Sequence, residues 1–164
     1  MHVDNITPFY NGSFVLSTYD DNMPVRIVDI NGIYTFFHGI EFPQTWYEIG
    51  TCQCTFIASH NILVFTDYNK NIVCLFNTQT GETVKVTDSK IEKPIGVCEG
   101  PNGSILVACV STIVQLTTRG EVLTCAGVGM RHLQAIKVSK NSMQLAVSST
   151  TRGNCQLRLF KILK

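Results

Sequence analysis

Ile6-Thr-Pro-Phe-Tyr-Asn-Gly-Ser-Phe-Val-Leu-Ser-Thr18 is matched without a gap by Val97-Cys-Glu-Gly-Pro-Asn-Gly-Ser-Ile-Leu-Val-Ala-Cys109. Both stretches carry Asn-Gly-Ser followed by an apolar triplet. Asn-Gly tolerates positive φ at the centre of a hairpin loop, so each stretch reads as strand, tight turn, strand. Two looser copies are Phe56-Ile-Ala-Ser-His-Asn-Ile-Leu-Val-Phe65 and Ile136-Lys-Val-Ser-Lys-Asn-Ser-Met-Gln-Leu-Ala146. A third strand follows each hairpin, over Val25–Ile30, Asn71–Phe76, Thr112–Thr117 and Cys155–Ile162. Val28, Leu75, Leu116 and Leu159, taken as corresponding third-strand positions, stand 47, 41 and 43 residues apart.

In three copies the third strand runs through a Gly-containing turn into a fourth, over Ile33–Phe37, Thr83–Val86 and Glu121–Cys125. The last copy stops after its third strand. A four-stranded unit recurring every forty-odd residues is the pattern of a β-propeller blade. A β-sandwich also alternates, but it has no reason to repeat its turn chemistry at near-constant spacing. The expected fold is all-β, a β-propeller segment of four blade-like repeats of antiparallel strands. It occupies 1–164 as one unit, with blades near 5–40, 50–88, 94–127 and 132–163. An open arc exposes strand edges and the apolar sides of its end blades. Upstream blades or self-association are therefore expected to cover them.

Composition narrows the function classes. Of the 164 residues 45% are hydrophobic and 15% charged, and 13 basic against 12 acidic side chains leave a formal charge of +1. Disorder requires less apolar content and more net charge, and nothing here drives non-specific attraction to nucleic acid or anionic lipid. No window approaches the ~20 apolar residues of a membrane helix, so no membrane partner is expected. Met1-His2-Val3-Asp4-Asn5 lacks the basic and apolar regions of a signal peptide, which makes the cytoplasm the expected compartment. Seven cysteines, an odd number, mostly lie inside apolar runs such as Ile72-Val73-Cys74-Leu75-Phe76. They read as reduced, small core hydrophobes. Cys52-Gln53-Cys54 is the one close pair, and strand alternation puts both thiols on one face. Paired zinc-ligand spacing is absent, so neither metal nor cofactor is expected.

Ile62-Leu-Val-Phe-Thr-Asp-Tyr-Asn-Lys-Asn-Ile-Val-Cys-Leu-Phe76 resembles the core of an NHL repeat, in which an apolar strand leads to Asp and a polar turn. Pro94-Ile-Gly-Val-Cys-Glu-Gly-Pro-Asn-Gly-Ser-Ile-Leu-Val107 is similar to that repeat's opening. The likeness runs from about residue 5 to 162. It departs from the pattern in the third copy, where Val110-Ser111 replaces the polar turn, and in the fourth, which lacks the Asp. The chain thus looks like the C-terminal propeller of tripartite-motif (TRIM-NHL) proteins. That resemblance implies a six-bladed propeller of which four blades are present, the alternative being an incompletely closed four-blade ring. It also implies a substrate- or RNA-recognition module. RING, B-box and coiled-coil segments are not in this sequence, so ubiquitin-ligase chemistry is not expected of it.

The search for catalysis finds little. His2, His38, His60 and His132 are scattered, without a recognisable nucleophile arrangement around them. His60 reads as a solvated turn residue. Asp20, Asp21, Asp67 and Asn69 would lie on one face but span only two blades, which makes a metal-dependent, lactonase-like hydrolase the weakest reading. Binding through loops is the better reading, because propeller loops form broad rigid surfaces. In a blade's up-down order, the loop between strands two and three and the connection between blades emerge on the same face. That face is expected to carry Tyr19, Phe42, Trp46, Tyr47, Tyr68, Lys70, Arg131, His132 and Arg152, with the stretch Lys90–Lys93 beside them. The Phe42–Tyr47 aromatics could anchor an interface or plug the gap between blades. A protein partner is the expected ligand. Single-stranded RNA is the alternative, since it calls for aromatics interleaved with Lys or Arg.

Overall fold

The computed structural model describes residues 2–19, 25–37, 52–141, 144–151 and 154–162. Four separate antiparallel sheets carry the repeats in order. Blade 1 consists of β1 (His2–Pro8), β2 (Phe14–Tyr19), β3 (Val25–Val28) and β4 (Tyr34–Thr35). Blade 2 holds β5 (Cys54–Ile57), β6 (Ile62–Asp67), β7 (Ile72–Asn77) and β8 (Thr83–Val86). Blade 3 holds β9 (Val97–Glu99), β10 (Ile105–Ala108), β11 (Thr112–Leu116) and β12 (Val122–Gly127). Blade 4 has three strands, β13 (Leu133–Val138), β14 (Gln144–Thr151) and β15 (Asn154–Lys161). The fold is all-β, a β-propeller of four antiparallel blades, as the repeat pattern requires.

The hairpin turns obey their sequences. Asn11 and Gly12 take φ of 54° and 73°, and Asn102 and Gly103 take 56° and 73°. Asn61, the counterpart in blade 2, has φ 56°. Asn and Gly tolerate this left-handed backbone, where a branched side chain would clash.

First strands β1, β5, β9 and β13 stand side by side, and each blade packs its faces on its neighbours. Val15 and Val25 meet Cys54, Phe65 and Cys74 between blades 1 and 2. Val64, Val73 and Leu75 meet Val97, Val107 and Val114 between blades 2 and 3. Leu106 and Ile113 meet Leu133, Ile136 and Val147 between blades 3 and 4. Among the described residues no such cluster joins blade 4 to blade 1. The interior blades are buried on both faces, which is why their strands read as continuous apolar runs.

Register corrects one detail. Val15 pairs with Ile27 and faces blade 2, so Val28, paired with Phe14, faces the other way. Leu116 lies in the joint with blade 2, whereas Leu75 faces blade 3. Val28 and Leu116 are thus one residue out of step with Leu75 and Leu159, and in a strand one residue reverses the face.

All seven cysteines are free, but only five are core residues. Cys125 and Cys155, on the last strands of blades 3 and 4, are exposed. No helix among the described residues is long and apolar enough to cross a membrane.

Candidate functional site

The loops after the second strands of blades 2 and 3 and the connections that follow these blades meet on one face, and the backbone stitches them together. Lys93, in the connection between blades 2 and 3, donates its N–H to Asn71 Oδ1 in the loop of blade 2 (2.8 Å). In the same connection the Glu92 carbonyl accepts from Val110 N–H in the loop of blade 3 (3.1 Å). The Val110 carbonyl in turn accepts from His132 N–H (2.6 Å), and the His132 carbonyl accepts from Thr150 N–H in blade 4 (3.2 Å). Asn71, Lys93 and His132 hold φ of 57°, 49° and 54°. Left-handed backbone at these residues turns each connection back onto the preceding loop. The result is a hydrogen-bonded ribbon across three blades.

Side chains projecting from this ribbon include several expected from sequence. The Lys93 ammonium sits over the Tyr68 ring, 5.6 Å from its centroid, which holds an aromatic and a cation together at the surface. Lys70, Arg131 and His132 are exposed. Tyr19, at the corresponding end of β2, stacks on His2 with centroids 5.1 Å apart. Phe42, Trp46, Tyr47 and Arg152 lie outside the described residues, as do Asp20, Asp21 and His38. Lys93 lies in the stretch 90–93 that strand direction puts on this face, but its pairing with Tyr68, 25 residues earlier in the chain, has no signal in the sequence.

Asp67 departs from its expected place as a loop carboxylate. It ends β6, is buried, and accepts Lys70 N–H at Oδ1 (3.0 Å). It closes the turn that displays Tyr68 and Lys70, and it does not contribute charge to the surface. No cluster of three or more metal-ligating side chains occurs among the described residues.

The opposite face holds a feature that sequence reading missed. The far ends of all four first strands surround a cavity of about 650 Å³, whose walls include Tyr10, Phe56, Glu99, Asn102, Lys137 and Lys140. Phe9, Tyr10 and Phe56 pack as a trio, with centroid separations of 4.7–4.8 Å. The Tyr10 hydroxyl donates to Asn61 Oδ1 in the next hairpin turn. The only signal in the sequence is an aromatic residue ahead of the Asn turn in two copies, and periodicity gives it no direction.

At the rim of this cavity Ser59 Oγ donates to Glu99 Oε1 (3.1 Å) and lies 2.9 Å from His60 Nδ1. Such a set has no signature in the sequence, since Glu99 comes from another blade. With the hydroxyl hydrogen directed at the carboxylate, His60 Nδ1–H becomes the donor to Ser59. A hydrolytic triad needs the reverse order, with the acid on the imidazole and the imidazole accepting from the hydroxyl. His60 is exposed but not simply solvated, because its ring closes over Gly103, where a Cβ would fall 2.3 Å from Cε1.

Neither a protein-family model nor a curated protein matches the chain. Solved structures do resemble it. Hydrazine synthase from Kuenenia stuttgartiensis superposes with a TM-score of 0.73 at 15% identity, over 97% of this chain and 46% of that one. A streptogramin B lyase structure gives 0.69 at 18% identity, over 99% and 55%. Catalytically inactive H270A virginiamycin B lyase from Staphylococcus aureus, with quinupristin, gives 0.68 at 20% identity, over 98% and 56%. The chain therefore spans about half the length of the structures it matches. Likeness at this identity establishes the β-propeller fold with its four blades, and nothing finer.

Proposed function

We propose that the chain is an NHL-like propeller segment acting as a non-catalytic interaction module, which recognises a protein partner through the stitched loop face. The observation that carries this reading is the ribbon running from Asn71 through Lys93, Glu92, Val110 and His132 to Thr150. It fixes the backbone of several loops at once, so the side chains on it bind without a large ordering cost. Tyr68 with Lys93, on the same face as the exposed Lys70 and Arg131, combines an aromatic anchor with cations suited to an acidic protein surface. The near-neutral chain favours protein over nucleic acid as the ligand.

Tyr68→Ala and Lys70→Ala are the direct test. Neither residue belongs to a core cluster, so the melting temperature is expected to stay at its wild-type value. Capture of a partner from extract of the source cells, followed by titration, should weaken about thirtyfold for Tyr68→Ala, the loss typical of an aromatic hot spot. Unchanged affinity in both variants would overturn the reading. Retention of labelled single-stranded RNA that falls steeply with salt and disappears in Arg131→Ala would replace the protein ligand with RNA.

A further inference from the structure

The large exposed apolar side chains concentrate on the two end blades, and strand register shows what they would do with a neighbour. Leu159 pairs with Ala146, and Leu157 with Ser148, on the face of blade 4 turned away from blade 3. In blade 2 the matching pairs are Leu75 with Val64 and Val73 with Thr66. Val73 and Leu75 are buried against blade 3, whereas Leu157 and Leu159 are 71% and 66% exposed. Blade 1 shows the complementary deficit. Ile6 pairs with Leu16, as Val97 pairs with Val107 in blade 3. Val97 and Val107 are buried against blade 2, while Ile6 is 57% exposed and Tyr34, on the same face, 48%. Blade 4 thus ends in a copy of the surface that blade 2 offers to blade 3. Blade 1 begins with a copy of the surface that blade 3 offers back.

We propose that two copies of this chain associate head to tail, the free face of blade 4 in each packing on the free face of blade 1 in the other. Leu157 and Leu159 would then meet Ile6 and Tyr34, on either side of Leu16, which is already buried, much as Val73 and Leu75 meet Val97 and Val107 within the chain. A head-to-tail contact closes only when the rotation it generates completes a turn. Two copies joined at both junctions would bring eight blades together, and the chain spans 46–56% of the length of the solved structures it superposes on. The residues that meet are aliphatic and aromatic, so the pairing is apolar in origin. This inference is independent of the loop face and of what that face binds.

The test is complementation in solution, with mass measured by sedimentation and circular dichroism confirming the strand signal. Wild type is expected at twice the 18.2 kDa chain mass. Leu157→Asp with Leu159→Asp removes one face, and Ile6→Asp with Tyr34→Asp removes the other. Each double variant alone is expected to be monomeric, and an equimolar mixture should recover dimer through its one intact junction. Three results would overturn the proposal: a monomeric wild type across the micromolar range, one variant that still dimerises by itself, or open-ended polymer in place of a dimer.

Discussion

Gly96→Val is expected to melt some 6–12 °C below wild type, through a loss of about 3 kcal/mol. Gly96 is buried just ahead of β9, where its carbonyl accepts from Ala108 N–H (2.8 Å). A Cβ there would lie 2.9 Å from the Gln134 carbonyl oxygen and 3.2 Å from both Ala135 Cα and Ile136 N. All three atoms belong to the backbone of β13, so no rotamer change relieves the contact. Relief comes only by moving β13 away from β9, which opens the apolar joint of Leu106, Ile113, Leu133 and Val147. The backbone at Gly96 is outside the left-handed region, so the effect comes from the clash and not from φ. Gly127→Ala is the control, because a Cβ there meets nothing within 4 Å. A scanning calorimetry trace of Gly96→Val superposable on wild type would show that the inner strands do not pack at this separation.

Alkali should unfold the protein where neutral pH does not. Burial pushes the Cys54 and Cys74 thiols up to about 12 and those of Cys98 and Cys109 up to about 11, from an ordinary value of 9.0. Cys52 is raised well above that value too, first by burial and then by Cys54 and Asp67 beside it. In the folded chain these thiols keep their protons at a pH where the unfolded chain releases them. Their contribution is fully present below about pH 9 and is lost as pH rises through the folded values of 11–12. Each thiol then costs roughly 1 kcal/mol per pH unit. Urea midpoints are expected to be flat from pH 7 to 8.5 and to fall steeply by pH 10. At neutral pH a thiol reagent should modify Cys125 and Cys155 quickly and the other five only on unfolding. A flat midpoint to pH 11, or fast reaction of all seven thiols, would contradict this burial.

Sequence reading reached the fold through the Asn-Gly turns. Asn11-Gly12 and Asn102-Gly103 demand one local conformation, and the four strands around each turn follow from two-residue alternation. It failed by one residue at Val28 and Leu116, because both faces of an interior blade are apolar and hydrophobicity alone does not tell them apart. The loop face was legible to the extent that its position follows from strand direction. Its chemistry is legible at Tyr68, Lys70 and Lys93 as residues of one face, but not in the contact between Lys93 and Tyr68, which a left-handed backbone at Lys93 accompanies. Asp67 was misplaced because a carboxylate next to a polar turn reads as surface, although here it caps the turn from within. The cavity of Tyr10, Phe56, Glu99 and Lys137 was illegible, since its walls come from residues forty apart that share no motif.

The three apolar joints run in a single file, blade 1 to 2, 2 to 3 and 3 to 4. A molecule built this way behaves as a one-dimensional array, in which each unit's stability is its own plus that of the neighbours it touches. Among the described residues blades 2 and 3 share apolar joints with two neighbours, while blades 1 and 4 share one. Opening should therefore begin at the ends and spread inward. Native-state amide exchange is expected to rank Val64 and Val107 as the slowest positions, with Ile6 and Leu159 exchanging earlier through local fraying. Uniform protection along the file would mean a single cooperative unit. A graded profile makes the two end blades the point where a protease enters the chain, and a second copy seated on them the most effective guard.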